Sequence, residues 1–204
     1  MRIAAIVGTR PQLIKLAALR PHLTAPIEPY VVDTAQHHDE LLAGQIYRDL
    51  GMTPPDLLLP EPGDLHGAER LDAMVRALDA ALVQINPDVV LVFGDTDSTL
   101  AGALAAHAHG IAIVHVEAGV RSGDALMPEE RNRIAVDKIA SLRLCTSDRA
   151  AQALRVEGLA DGNVVVGDLM ADLVARLAST ARGTAALDAA ALHIGRPLIS
   201  GGFA

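Results

Sequence analysis

Acidic and basic side chains crowd one short segment of the 204-residue chain, HVEAGVRSGDALMPEERNR (residues 115–133). Its carboxylates and arginines are Glu117, Asp124, Glu129, Glu130, Arg121, Arg131 and Arg133. Positioned carboxylates can take up and deliver protons, and arginines can bind the anionic groups of a substrate. The segment therefore predicts either the acids and bases of an active site or a solvated, salt-bridged loop that leads into a helix.

Three acidic residues of this segment have different predicted positions. Glu117 closes the apolar run AIVHVE, which predicts a buried strand with its last carboxylate at the edge of a sheet. Glu129 and Glu130 follow Pro128 in the first turn of a predicted helix, where the helix dipole favours acids, so one of them needs no catalytic explanation. We expect Glu117 and Glu129 to face a substrate, and Glu130 with the arginines to hold the loop and the helix start.

The segment GTRPQLIK (residues 8–15) leaves the first predicted strand through Gly8 and begins a helix at Pro11. Arg10 then lies at a helix N-terminus, where free backbone N–H groups favour an anion, and its guanidinium could bind a phosphate through two hydrogen bonds. Lys15 lies about one turn further along and could reach the same pocket. The alternative is ordinary turn chemistry, with Arg10 paired to a surface carboxylate. The segment lacks both the GxGxxG and the Walker pattern.

The segment GDTDST (residues 94–99) also places a glycine and then an acid at the end of a predicted strand. Thr96 or Asp97 can cap the helix that follows. Asp95 is not needed as the cap, so it could act as a base or orient a sugar hydroxyl.

Two adjacent histidines, His37 and His38, precede Asp39 in TAQHHDE (residues 34–40). Neighbouring residues seldom converge on one metal ion, and this spacing matches no zinc template. The pattern favours a polar loop that leads into a helix, unless His37 lines the edge of the sheet where ligands bind, and we predict no metal site.

Short apolar runs alternate with longer helical stretches along the chain. The predicted strands are residues 2–7, 29–33, 88–93, 112–117, 142–146 and 164–166. The predicted helices are residues 11–23, 39–50, 68–85, 98–109, 128–139 and 149–157. Nearly continuous apolar strands are typical of parallel sheets covered on both faces, so the pattern predicts a doubly wound, Rossmann-like α/β fold. Residues 52–64 predict an irregular, Pro-rich connection.

Since ligands of such sheets bind at the carboxyl ends of the strands, the polar segments above are expected to share one edge.

The composition excludes several classes of partner. A net charge of −8 and only 2% aromatic residues argue against a nucleic acid or an anionic membrane. The apolar run at the N-terminus is too short for a signal peptide, and no segment has the length of a membrane span. We therefore expect a soluble, cytoplasmic protein. The single cysteine, Cys145, lies in an apolar run and is expected to be a buried thiol.

Taken together, these segments resemble the non-hydrolysing UDP-N-acetylglucosamine 2-epimerase family, whose two domains have the glycosyltransferase-B type architecture. The matching segments are GTRPQLIK, TAQHHDE, VFGDTDSTLAG, HVEAGVRSGDALMPEERNR and VVVGDLMADL. They occur in the family's order and cover the chain to about residue 175. The form MPEERNR is similar to the branch that includes 2-epimerases of UDP-diacetamido-uronic acids.

The resemblance implies an isomerase that inverts C2 of UDP-N-acetylglucosamine, or of a related UDP-2-acetamido sugar, to the manno form for cell-surface polysaccharide precursors. The reaction proceeds by loss and return of UDP, without a metal or another cofactor. By position, the resemblance implies catalytic carboxylates at Asp95, Glu117 and Glu129.

The same resemblance implies that Arg10, Lys15 and Arg121 bind the substrate. Gln36 and His37 match residues that contact an activating second UDP-sugar in some members of the family, which carry glutamine where this chain has Asp39. The family forms dimers through helices of this domain, so a homodimer is expected.

The end of the sequence bears on the domain organisation. In the family a second Rossmann-like domain supplies most UDP contacts and a histidine in an HRxEN-like segment. We expect residues 1–175 to form the first domain, and residues 176–204 to form a linker helix and the first strand of a second domain that is otherwise missing. Two alternatives to an epimerase follow: an inactive domain that serves as a binding or dimerisation module, and a glycosyltransferase-type domain that binds an acceptor at the same edge.

Overall fold

A parallel β-sheet forms the centre of the structure, a computed structural model that describes residues 1–36, 40–61 and 63–178. Its seven strands are β1 (Arg2–Val7), β2 (Glu28–Asp33), β3 (Leu57–Leu58), β4 (Val89–Phe93), β5 (Ala112–Ala118), β6 (Leu142–Cys145) and β7 (Asn163–Val165). They lie in the order β3-β2-β1-β4-β5-β6-β7, and all neighbours are parallel. The predicted doubly wound parallel sheet is confirmed.

Helices connect the strands at the predicted places. They are α1 (Arg10–Leu19), α2 (Glu40–Asp49), α3 (Gly67–Ile85), α4 (Asp97–Ala108), α5 (Pro128–Ile139) and α6 (Asp148–Val156). A further helix, α7 (Leu169–Ala178), follows β7 and was not among the predicted helices. The first predicted helix is shorter than expected, because the chain continues as a 3₁₀ turn over Arg20–His22. Pro21 cannot donate the backbone hydrogen bond that an α-helix would need there.

The sequence did not predict strand β3, which lies within the Pro-rich stretch expected to be irregular. It pairs with β2 through Val32 and Leu57 at the edge of the sheet. Asp56 fixes the approach, because its carboxylate accepts a hydrogen bond of 2.7 Å from the Val31 N–H. Prolines are tolerated beside an edge strand, where one side of the backbone has no partner. The prolines of residues 52–64 therefore led us to predict an irregular connection where a short strand forms.

The strand order reverses between β1 and β4, which are neighbours although two strands separate them in the sequence. Right-handed crossovers then place α1 and α2 on one face of the sheet and α3, α4 and α5 on the other. In such a fold the reversal opens a crevice at the carboxyl ends of the two central strands. The loops after β1 and β4 therefore border the expected ligand site.

Helix α4 approaches the sheet closely, as its small residues predict. Ala101, Ala103 and Ala105 are fully buried. A Cβ added at Gly102 would lie 3.1 Å from side-chain carbons of Ile6 on β1 and Val92 on β4. This contact fixes the start of α4, which carries Asp97, against the two strands that border the crevice.

The strands and helices up to α6 belong to a compact unit, Met1–Asp168, whereas α7 belongs to a second unit that begins at Leu169. The predicted domain limits, 1–175 and 176–204, remain predictions, since the description of the chain ends at residue 178. In the described ranges, no helix is both long and apolar enough to cross a membrane.

Candidate active site

Four charged side chains from different elements meet at the carboxyl edge of the sheet. Lys15 comes from the second turn of α1, Asp95 from the loop after β4, Glu117 from the end of β5 and Arg133 from the second turn of α5. We call these four residues the Glu117 cluster. Three of them were predicted as site residues from the sequence, and the structure brings these three together.

The cluster alternates in charge. Lys15 Nζ forms an ion pair with Oε2 of Glu117, and Oε1 of the same carboxylate lies 3.6 Å from Arg133 Nη2. Arg133 also donates to Asp95 Oδ2. The two carboxylate side chains are each 25% exposed, whereas Lys15 is 12% and Arg133 8% exposed. The cations are thus held inside, and part of each carboxylate is open to solvent and hence to a ligand.

The backbone at Glu117 is unusual and helps to place its side chain. Glu117 has φ +69°, in the left-handed region, and the β5–β6 pairing shifts register between Val116 and Ala118. A bulge of this kind turns one side chain away from the regular alternation of a strand. A residue other than glycine in this region costs about 1–2 kcal/mol, so the surrounding contacts must hold the conformation.

Gln12 on α1 ties the loop after β1 to the loop after β4. Its side chain is 1% exposed, and its Oε1 accepts hydrogen bonds from the N–H groups of Gly8 (2.9 Å) and Thr9 (3.1 Å). Its Nε2 lies 3.0 Å from both the Phe93 carbonyl and the Thr96 hydroxyl. The two loops that carry Arg10 and Asp95 are therefore fixed relative to each other.

Asp97, one of the two predicted capping residues, has another role in the structure. It is the first residue of α4 and pairs with Arg70 of α3, while Asn132 Nδ2 donates to Asp97 Oδ1 (3.2 Å) and to the Asp95 carbonyl (3.0 Å). Thr96 occupies the N-cap position, but its side chain makes no capping hydrogen bond. Asn132 thereby links α5 to the loop that holds Asp95.

Two other predicted site residues, Arg10 and Glu129, make no ion pair or hydrogen bond with the cluster among the described residues. Arg10 is the first residue of α1, and Glu129 lies in the first turn of α5. Both side chains are exposed, and neither has an ion pair or hydrogen bond through its side chain in the part of the chain that the structure describes. Their predicted roles in substrate binding and catalysis remain predictions.

Glu130, the neighbour of Glu129, has the structural role expected for one of the two. It is 4% exposed, and its carboxylate accepts hydrogen bonds from the N–H groups of Ser122 (3.0 Å) and Gly123 (3.1 Å). Burial alone would raise the pKa of Glu130, but these hydrogen bonds and the charge of Arg121 hold it below its usual value. Glu130 thus holds the loop between β5 and α5.

A second charged group is buried two residues before Glu117. His115 Nδ1 lies 2.8 Å from Asp137 Oδ1, and His115 Nε2 lies 2.7 Å from the Gly94 carbonyl. Both side chains have 0% exposure. Asp137 Oδ2 also accepts from the Gly119 N–H (3.2 Å) and pairs with Arg121 Nη2 (2.7 Å).

Arg121 completes this group through two further hydrogen bonds to Glu157 of α6, at 2.7 and 2.8 Å. We call His115, Asp137, Arg121 and Glu157 the His115 network. Burial alone would raise the pKa of Asp137, but the hydrogen bonds and charges of His115 and Arg121 outweigh it and lower this pKa. The guanidinium of Arg121 binds carboxylates of the chain itself, and its contact with a substrate remains a prediction.

Gln36, predicted as part of an activating site, contacts the N-terminus of α4. Its Oε1 accepts from the Ser98 N–H (2.8 Å) and the Ser98 hydroxyl (2.6 Å). His37, the other residue of that prediction, lies outside the described residues, as do His38 and Asp39. The activating site stays a prediction.

Arg133, Asn132, His115 and Asp137 were not predicted as site residues. For Arg133 the signal was present, because a cation near a helix start is disfavoured by the dipole and so pairs with a carboxylate, but we expected it only to hold the helix start. A lone histidine within the apolar run AIVHVE is also a signal, since a buried polar side chain requires partners. Cys145 is buried, as predicted, and burial raises the pKa of its thiol.

Comparison with known proteins finds a family and several relatives that match this chain. Residues 22–194 match the model of a family described as UDP-N-acetylglucosamine 2-epimerase. A UDP-N-acetylglucosamine 2-epimerase homologue of Methanococcus maripaludis is 39% identical over 172 residues, which cover 84% of this chain and 48% of the relative. The UDP-2,3-diacetamido-2,3-dideoxy-D-glucuronate 2-epimerase of Pseudomonas aeruginosa is 37% identical over 177 residues, covering 84% and 50%. The chain therefore spans about half the length of the curated relatives it matches.

Solved structures show the same similarity. The UDP-N-acetylglucosamine 2-epimerase of Methanocaldococcus jannaschii, in complex with UDP-GlcNAc and UDP, superposes with a TM-score of 0.85 at 33% identity, over 93% of this chain and 54% of that one. MurG of Acinetobacter baumannii superposes with a TM-score of 0.56 at 14% identity, over 81% of this chain and 44% of that one, which shows the fold alone. The sheet is thus the Rossmann-like half of a glycosyltransferase-B type architecture.

Proposed function

Because the chain belongs to the UDP-N-acetylglucosamine 2-epimerase family, we propose that it takes part in the epimerisation of a UDP-2-acetamido sugar at C2. A carboxylate removes the C2 proton, the bond between C1 and the diphosphate oxygen breaks, and UDP leaves with the bonding electrons. The 2-acetamidoglucal that remains then takes UDP back at C1 and a proton at C2 from the opposite face. Atoms and charge balance without an oxidant or a metal.

One observation carries the proposal: Glu117 and Asp95 are held together at the crevice by Lys15 and Arg133. Removal of a weakly acidic C–H proton needs a positioned carboxylate, and departure of UDP needs positive charge near the diphosphate. The Glu117 cluster supplies both, and it lies at the reversal of strand order where such sheets bind ligands. We assign the two proton transfers to Asp95, Glu117 and Glu129 as a set.

Arg10 is proposed to bind the diphosphate. It is exposed at the N-terminus of α1, where the helix dipole and free N–H groups favour an anion. Lys15, one turn further, is proposed to hold the sugar side of the substrate beside Glu117. Arg121 is proposed to contribute to substrate binding from the loop after β5.

Two UDP-sugars are candidate substrates. The relatives include epimerases named for UDP-N-acetylglucosamine and for UDP-2,3-diacetamido-2,3-dideoxy-D-glucuronate, at similar identity. We propose UDP-N-acetylglucosamine as the first substrate to test and the diacetamido uronate as the second. A homodimer, a cytoplasmic location and a role in supplying precursors of surface polysaccharides complete the proposal.

Deuterium exchange tests the reaction directly. The purified chain is incubated with each UDP-sugar in deuterated water, and C2 is followed by NMR. Deuterium at C2 together with a manno product would support the proposal. A folded chain that binds the UDP-sugar but gives neither signal would instead support the alternative of a binding module. Sedimentation of the same sample distinguishes a monomer from the proposed homodimer.

A further inference from the structure

The buried histidine His115 has acceptors on both ring nitrogens. The Gly94 carbonyl, 2.7 Å from Nε2, can only accept a hydrogen bond. On the other side, Asp137 Oδ1 lies 2.8 Å from Nδ1. Arg121 and the Gly119 N–H both donate to Asp137 Oδ2, which is the arrangement of an ionised carboxylate. Two acceptors on a ring require two N–H groups, and hence an imidazolium.

The groups that His115 holds flank two members of the Glu117 cluster. Gly94 directly precedes Asp95, and its own N–H donates to the Val116 carbonyl (2.9 Å), directly before Glu117. Asp137 fixes the Gly119 N–H, on the other side of Glu117. The hydrogen bonds of His115 and Asp137 therefore surround the bulge at which Glu117 takes its left-handed conformation.

We propose that His115 is a buried imidazolium that acts as a positioning residue, holding Asp95 and Glu117 in place through Gly94 and the Asp137 carboxylate. The proposal rests on the proposed epimerase function only for its kinetic consequence. A strained backbone persists when the structure around it permits no alternative, and a charged pair with every polar atom bonded provides that constraint. Charge also strengthens both hydrogen bonds of the ring relative to those of a neutral histidine.

Nitrogen NMR of the wild-type chain tests the protonation of the ring without any activity. With ¹⁵N-labelled histidine, both ring nitrogens of His115 should carry protons at neutral pH. Their signals can be assigned by contacts of the ring to Gly94 and Asp137. A spectrum in which one ring nitrogen of His115 lacks a proton would overturn the proposal. The exposed His107 provides an internal reference.

Kinetics of the His115→Gln variant test the positioning. Glutamine can still donate to one acceptor but carries no charge. We expect kcat for C2 exchange to fall about 100-fold, as for a catalytic group displaced by about 1 Å, while KM stays near the wild-type value. His107→Gln should change neither constant. A folded His115→Gln chain with wild-type kcat contradicts the proposal.

A further measurement separates failure of this proposal from failure of the proposed function. If the wild-type chain shows no C2 exchange, the carboxyl ¹³C resonances of Asp95 and Glu117 give the readout. They should shift in His115→Gln and not in His107→Gln, and unshifted resonances would overturn the positioning role. If His115→Gln does not fold, the wild-type spectrum decides. Scalar couplings from both ring N–H groups across to Gly94 and Asp137 support the proposal, and their absence contradicts it.

Discussion

Lys15, Asp95, Glu117 and Arg133 meet at the edge of the sheet, and part of both carboxylates is open to solvent. By contrast, His115, two residues before Glu117 in the sequence, and its partner Asp137 lie fully buried. Both groups consist of carboxylates paired with cations. In the Glu117 cluster the cations are the more buried partners, and the exposed acids can meet a ligand. In the His115 network each atom of Asp137 already has a partner. The same residue types therefore give a reactive edge in one place and a rigid support in the other.

The largest expected effect concerns the chemistry of the open carboxylates. Glu117→Gln and Asp95→Asn should each lower C2 exchange by about 100- to 10,000-fold, because an amide cannot transfer the proton. Exchange at C2 of the UDP-sugar is measured by NMR in deuterated water, with each variant and the wild type prepared in the same way. The control is Asp64→Asn, an exposed acid without a described partner, which should keep full exchange.

Circular dichroism should show an intact fold for both variants, since each carboxylate is part exposed. If either variant unfolds while keeping residual exchange, its carboxylate has a structural role. That residue would then resemble Asp137 of the His115 network and would not be a reactive acid.

The buried acid Asp137 should mainly affect stability, whereas Asp95 and Glu117 should mainly affect the reaction. Asp137→Asn leaves the buried His115 without a negative partner and Arg121 with Glu157 alone, which we expect to lower the free energy of unfolding by about 3–5 kcal/mol. Urea denaturation measures this change, with Asp64→Asn again as the control. A loss below about 1 kcal/mol would show that the network is not the rigid support inferred from its burial.

The sequence predicted where the Glu117 cluster lies, but it did not predict all the residues that form it. Asp95 and Glu117 each end an apolar run, and the carboxyl ends of parallel strands share one edge, so their proximity follows from the pattern. The role of Arg133 depends on which side of α5 faces the edge. Arg131 and Arg133 are about 200° apart on a helix, so only the packing of α5 decides which one reaches Asp95.

Glu129 and Glu130 show the same limit. They are adjacent in the sequence and equally favoured by the helix dipole, yet one is exposed and the other is buried against the loop before α5. A rotation of about 100° along the helix separates the two outcomes. The bulge at Glu117 was also beyond prediction, because it arises from the register between β5 and β6.

The contribution of the His115 network to stability should depend on pH. The pKa of Asp137 is lower in the folded chain, so its contribution to stability is complete above its unfolded pKa of about 3.9 and is lost as the pH falls through the folded value. The stability gap between wild type and Asp137→Asn should therefore be constant from about pH 6 to 5 and narrow below about pH 4. Urea titrations at several pH values measure the gap. A gap that widens as the pH falls below about 4 would contradict the lowered pKa of Asp137.

The smallest expected effect concerns the backbone that carries Glu117. Its φ of +69° disfavours every residue except glycine, so Glu117→Gly should be more stable than Glu117→Ala by about 1 kcal/mol. Ala112, at the start of the same strand, lies outside the positive-φ positions. There Ala112→Gly should instead lower the free energy of unfolding by about 0.5–1 kcal/mol. Opposite signs at the two ends of β5, measured by urea denaturation, would show that the strain is local to the residue that presents the carboxylate. Equal signs would mean that the change in the free energy of unfolding reflects the strand as a whole and not the positive φ at the bulge.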